Sequence, residues 1–232
     1  CHRGLEAKLT IDGKIQTSTF EFRNVHYLPA GAIVQGSVAQ VGYEYDGKTY
    51  AGALTHAAPH PRGSQCTFCH DPVATNHTFL AADSFASPGG CGSSCHAEAS
   101  NMTDIRIGHS ADYDGDENST EPLRDEVSTL SVALLAQINV AAAAGGDDIC
   151  YSEDQYPYFL IDTNGNGECD GVEINRNHGY GDWTAALMKA AHNYHISLKE
   201  PGAWAHNFDY IVQLLIDSIE DLSGNIDGYV RP

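Results

Sequence analysis

Residues Gln65-Cys66-Thr67-Phe68-Cys69-His70-Asp71 put two thiols two positions apart and a histidine directly after the second. Each thiol can form a thioether to one edge of a porphyrin, and the adjoining imidazole then reaches the iron; C-x-x-C-H is the attachment pattern of covalent c-type haem. Cys91-Gly92-Ser93-Ser94-Cys95-His96 repeats the pattern with one extra residue between the thiols. The chain opens on Cys1-His2, the last two positions of a third such pattern. Zinc sites and redox dithiols also use C-x-x-C. Two features favour haem: both pairs are followed at once by histidine, and the chain holds 12 histidines, far more than a zinc ribbon requires.

An iron held this way needs a sixth ligand. With only two methionines, Met102 and Met188, bis-histidine ligation is expected. Such an iron has no open position, so it passes electrons well and binds substrate poorly. His2, His70 and His96 are the proximal ligands. His26, His77 and His206 lead the distal candidates, with His56, His60, His192 and His195 behind them and His109 and His178 completing the set. That spacing implies about three haems in, or shared by, the chain. Surplus histidines could serve a haem on a neighbouring copy, which would make homo-oligomerisation part of the electron path.

Of the seven cysteines, Cys150 and Cys169 remain as a pair and read as a disulfide. Cys1 has three readings: a truncated haem motif, a single-thioether site, or a lipidated N-terminus. Covalent haem is assembled outside the cytoplasm, so an extracellular or cell-surface location is expected, with the periplasm as the alternative. No signal peptide is legible, and the chain reads as a mature chain or a fragment. The net charge of −19 argues against nucleic acid and for bound cations. No apolar run reads as a transmembrane segment. Asn76, Asn101 and Asn118 begin Asn-x-Ser/Thr triplets that permit glycosylation.

The elements that must position these residues read as an irregular α+β fold. Residues 1–65 predict strand and loop: Thr19-Phe20-Glu21-Phe22 alternates, and Tyr43 to Tyr50 predicts a β-hairpin turning at Asp46-Gly47. Residues 66–109 predict a loop-rich haem-binding middle. Residues 122–144, 183–199 and 208–222 predict helices, the last two capped by Asp182 and Asn207. The division is 1–109 and 110–232, within one compact unit. Two acidic loops suit one or two structural Ca2+ ions. The loop 110–121 offers Asp112, Asp114, Asp116, Asn118 and Glu121 without EF-hand spacing. The loop 162–173 offers Asp162, Asn164, Asn166, Glu168, Asp170 and Glu173, with Gly167 at position six and Glu173 at position twelve of an EF-hand pattern.

At these residues the chain resembles multihaem c-type cytochromes, particularly the large exported ones of metal-reducing and related anaerobic prokaryotes. Cys1-His2-Arg3-Gly4-Leu5-Glu6, Asn24-Val25-His26-Tyr27, Tyr43 to Tyr50, the loops 112–121 and 162–173, and Pro201-Gly202-Ala203-Trp204-Ala205-His206-Asn207 carry the likeness. It implies electron transfer, not catalysis, with redox proteins or extracellular acceptors as partners, and axial roles for His26 and His206. Some of the wider group assemble into conductive extracellular filaments. The resemblance departs at the start, where the first cysteine of a complete motif is absent. Two other classes remain open: a terminal reductase with one open-coordination haem, and a calcium-stabilised adhesion or scaffold module.

Overall fold

The computed structural model describes residues 2–26, 28–55 and 65–232. Cys1, His56 and His60 lie outside the described residues. Three helices supply most of the core: α6 (Leu123–Gly145), α7 (Ala185–Lys199) and α8 (Ala203–Asp221), preceded in the chain by the shorter α1 to α5 given below. In α6, Leu130, Leu134, Ile138 and Ala142 recur every four residues and form a fully buried stripe. Asp125 and Glu126 lie in its first turn, at the positive end of the helix dipole. It stops at Gly146, whose φ of +146° favours glycine. By length and composition α6 alone among the described helices could cross a bilayer, yet its buried stripe packs into the core with α7 and α8.

The helix α7 starts two residues later than expected. Thr184, not Asp182, is the N-cap, its hydroxyl accepting from the Leu187 N–H at 3.2 Å. Helix α8 begins earlier than predicted but is broken at Asn207, whose backbone is extended. The Asn207 Oδ1 accepts from the Tyr210 N–H at 3.4 Å, so it does cap the longer second part. Its Nδ2 donates to the carbonyls of Ile33 and Gly52. Two short antiparallel strands, β1 (Ile149–Tyr151) and β2 (Phe159–Ile161), pair with Ile149 opposite Ile161. The Cys150–Cys169 disulfide forms as expected and fastens this hairpin to the loop 162–173, with Cα atoms 5.2 Å apart.

The N-terminal part differs from expectation. It holds α1 (Lys8–Gln16), α2 (Ala30–Gln35) and a 3₁₀ turn at Gly36–Val38, and no strand among its described residues. The predicted β-hairpin keeps its Asp46-Gly47 turn, with the Lys48 N–H donating to the Tyr45 carbonyl, but no ladder forms. The reason lies in where the backbone groups go. The Gly42 N–H donates to the Tyr210 hydroxyl, and the Tyr45 N–H to the Tyr50 hydroxyl. The Ala51 N–H donates to Gln213 Oε1, and the Val41 carbonyl accepts from His192 Nε2. Tyr43 is held at both ends by fully buried Asn193, its N–H donating to Oδ1 at 2.7 Å and its carbonyl accepting from Nδ2 at 3.0 Å. Side chains of α7 and α8 replace the missing strand partner.

The middle is loop-rich, as predicted. It carries α3 (Cys66–Cys69), α4 (Ala81–Ala86), α5 (Cys91–Ser94) and a 3₁₀ turn at Met102–Asp104. Within residues 65–109, Phe85 is the single buried hydrophobic side chain, and it lies outside the main core.

Two predictions follow from the side-chain ladder. Asn193→Ala leaves both polar groups of Tyr43 buried without partners and should cost about 2–4 kcal/mol, read as a lower urea midpoint; a loss under about 1 kcal/mol would mean Asn193 does not hold the segment. His192 donates from Nε2 to a carbonyl in a fully buried place, and burial pushes its pKa down to about 4. A histidine depressed in the folded state contributes stability fully above its unfolded pKa. As pH falls from about 6.5 toward 4 the unfolded chain binds the proton and the folded one does not, so stability is lost. Between pH 7 and pH 5 the unfolding free energy should fall by about 2 kcal/mol more in native protein than in His192→Asn.

Candidate haem-binding sites

An imidazole can bind metal through one nitrogen while the other is held by the protein. His70 follows α3, and its Nδ1–H donates to the Phe79 carbonyl at 2.7 Å. A carbonyl only accepts, so Nδ1 carries the proton and Nε2 presents its lone pair. His2 is held alike, Nδ1 donating to the Leu28 carbonyl at 3.0 Å. The two accepting residues share an unusual backbone: Leu28 has φ +50° and Phe79 φ +59°. Two positions before each stands a histidine also at positive φ, His26 at +72° and His77 at +64°. Bulky residues in this left-handed region are rare and mark a backbone turned for a purpose. The pairs His26 and Leu28, and His77 and Phe79, thus repeat one backbone pattern beside His2 and His70.

His206 sits opposite the first motif. Its ring centre is 6.2 Å from that of His70. Two imidazoles bonded to one metal ion at about 2 Å each have ring centres about 6 Å apart. The His206 Nδ1 donates to Glu200 Oε1 at 3.0 Å, so its Nε2 is also available. Glu200 is 2% exposed, and a Cβ on Gly202 would lie 2.9 Å from His206 Cε1, so glycine is needed for this approach. Nothing in the sequence marks Glu200, because an acid six residues before a histidine, across a Pro-Gly turn, is a weak signal.

The second motif lies beside the first. His96 is buried, with Nδ1 3.4 Å from Glu98 Oε1. The Cys69 thiol is pushed up by burial first, then by the Cys91 and Cys66 thiols, which places Cys69 and Cys91 within electrostatic reach. A cavity of about 440 Å³ spans both motifs, lined by Phe68, Ala74, Pro88, Cys91 and Cys95 among others. None of the four motif cysteines is paired in a disulfide. Val73, Phe79 and Leu80 are exposed around them. The second motif's thiols at the wall of a cavity that also meets Thr67 and Phe68 of the first, histidines held for metal binding and a segment lacking its own core are the features a covalent porphyrin would complete, and the residues fit the group.

The remaining histidines have other surroundings. His192 has Nε2 engaged by the Val41 carbonyl. His195 is wholly buried between the rings of Phe22, Tyr151 and Tyr158, and neither nitrogen has a hydrogen-bond partner among the described residues. Burial, then Lys199 and His192, lower its pKa to about 3. His109 packs on Phe208 with Nδ1 3.2 Å from the Tyr113 hydroxyl. His26 and His77 are exposed.

In the loop 162–173, the acids are engaged by the loop itself. Asp162 accepts from the N–H groups of Asn164, Gly165 and Gly167, and Glu173 from Thr163 and Asp170. Asn164 and Asn166 accept from Asn166 and Glu168. In the loop 110–121, Asp112 accepts from Gly115 and Glu117, while Asp114, Asp116 and Glu121 converge. Asn118 accepts from Thr120. Burial, then Asp114, Asp116, Glu126 and Asp125, push Glu121 up to about 7. Glu126, fully buried on α6, joins this loop unforeseen, accepting from the N–H groups of Tyr113 and Asp114.

Comparison with known proteins agrees with the motifs. The C-type polyheme cytochrome OmcB of two Geobacter sulfurreducens strains is 29% identical over 245 aligned residues, covering 95% of this chain and 30% of OmcB. The C-type polyheme cytochrome OmcC of the same organism is 28% identical over 248, covering 95% of this chain and 29% of OmcC. The chain therefore spans about 30% of the length of the curated relatives it matches. No family model matches the chain, and no solved structure does. With two haem-attachment motifs on a scaffold that aligns along nearly all its length with these proteins, the chain is similar to polyhaem c-type cytochromes.

Proposed function

We propose that the chain transfers electrons between bis-histidine haems outside the cytoplasm. The observation that carries this reading is the His70–His206 pair, 6.2 Å apart, each with its Nδ1 engaged and its Nε2 available. Cys66 and Cys69 would hold one haem covalently between these histidines. Cys91, Cys95 and His96 would hold a second, and His2, with Cys1, belongs to a third. When bound, haem supplies a one-electron iron centre. The chain sets spacing, ligands and exposure. The coupling between the Cys69 and Cys91 thiols supports close neighbours, as tunnelling between haem edges requires. Glu200, buried and accepting from His206, makes that imidazole a stronger donor and favours the oxidised state.

The Cys150–Cys169 disulfide supports an oxidising compartment, extracellular or at the cell surface. Redox proteins or extracellular acceptors are the proposed partners. Assembly with further copies, up to a filament, is the extension of this reading to histidines left over within one chain.

The test is a haem-stained denaturing gel, pyridine haemochrome quantitation and a visible spectrum. At least two covalent haems per chain and an all-low-spin spectrum are expected. His206→Ala should convert one haem to high spin and leave the others unchanged, and His206→Met should keep it low-spin at a raised potential. Fewer than two covalent haems would defeat the reading, and an unchanged spectrum in His206→Ala would remove His206 as a ligand. A high-spin band in native protein would favour a terminal reductase.

A further inference from the structure

The acidic loop before α6 contains a cluster that its own hydrogen bonds do not complete. One carboxylate oxygen each from Asp114, Asp116 and Glu121 can be chosen so that all three lie within 4.8 Å of one another. Asp114 is 4% exposed, and its Oδ2 has no hydrogen-bond partner among the described residues, with Thr129 beside the carboxylate. Glu121 Oε1 is also buried without a partner. Buried carboxylate oxygens are ordinarily satisfied, because leaving a charge uncompensated in a poorly solvated place is costly.

The nearest cation does not meet this need. Arg106 donates to Glu126 and to the carbonyls of Ala111 and Glu121, so its charge is engaged with Glu126 beside the cluster. No lysine or arginine among the described residues pairs with Asp114, Asp116 or Glu121. Asp112 accepts from the N–H groups of Gly115 and Glu117 and so shapes the loop, and it also lies close to Asp114 and Glu126. The loop 162–173, which has the better calcium pattern in sequence, has the oxygens of Asp162 and Glu173 engaged by its own N–H groups.

We propose that Asp114, Asp116 and Glu121 form a binding site for one divalent cation of the calcium type. Three carboxylates from a flexible-length loop, with no nitrogen or sulfur donor, suit a hard cation that tolerates irregular oxygen geometry. Bound there, Ca2+ ties the loop following the second haem motif to the start of α6, through Glu121 and the Arg106–Glu126 pair.

The haem-loaded protein is treated with chelator and then dialysed against Ca2+ alone, with bound metal counted per chain. Asp116→Asn and Glu121→Gln keep size and the hydrogen bonds Asp116 accepts. The double variant should bind one Ca2+ fewer than native protein. Asp116→Asn alone, at an exposed position, should weaken that site at least tenfold with an unchanged haem spectrum. Native protein that binds no Ca2+, or variants that bind it as native protein does, would overturn the proposal. Neither result bears on haem ligation, which the His206 variants test separately.

Discussion

An imidazole that binds a metal through one nitrogen must be oriented through the other, and several histidines of the described chain are placed to meet that constraint. Three histidines here have Nδ1–H held by an acceptor: Leu28 for His2, Phe79 for His70 and Glu200 for His206. Two acceptors are backbone carbonyls turned inward by left-handed residues, and the third is a buried carboxylate. Each fixes a tautomer and a ring direction before any metal arrives. This matters most where the chain offers little packing of its own, as in residues 65–109 with one buried hydrophobic side chain.

The helical part supplies the rigidity that the haem-bearing loops lack. Its core stripe on α6 meets α7 and α8, and from that base α7 and α8 reach out to hold the segment 41–51 by side chain to backbone bonds. Asn193, His192, Tyr210 and Gln213 are therefore polar residues in buried or nearly buried places for one shared reason. They complete a backbone that has no strand beside it.

Chemistry was more legible in the sequence than architecture. The haem motifs, the Cys150–Cys169 pair and α6 depend on residues close in sequence or on a strong four-residue apolar period. The predicted N-terminal hairpin failed because its alternating tyrosines and Asp-Gly turn are compatible with any extended segment. What decides its pairing is a set of side chains some 150 residues away in the chain, such as Asn193 opposite Tyr43. Residues 65–109 are largely irregular because so few of them bury apolar surface. Glu200 and Glu126 escaped notice for a related reason. Buried acids look like surface acids until the fold shows what they face.

The break in α8 at Asn207 has a mechanical meaning. His206 stands on the last residue before the break, so its ring is carried by a single short turn and not by the long helix behind it. Asn207 clamps that turn to the Ile33 and Gly52 carbonyls while capping the helix beyond. His206 is thus braced from two directions by parts of the chain far apart in sequence. With an iron bound there, a mount of this kind would yield little to a one-electron change of charge, and a small structural response to charge is what lets successive electrons pass at low thermal cost.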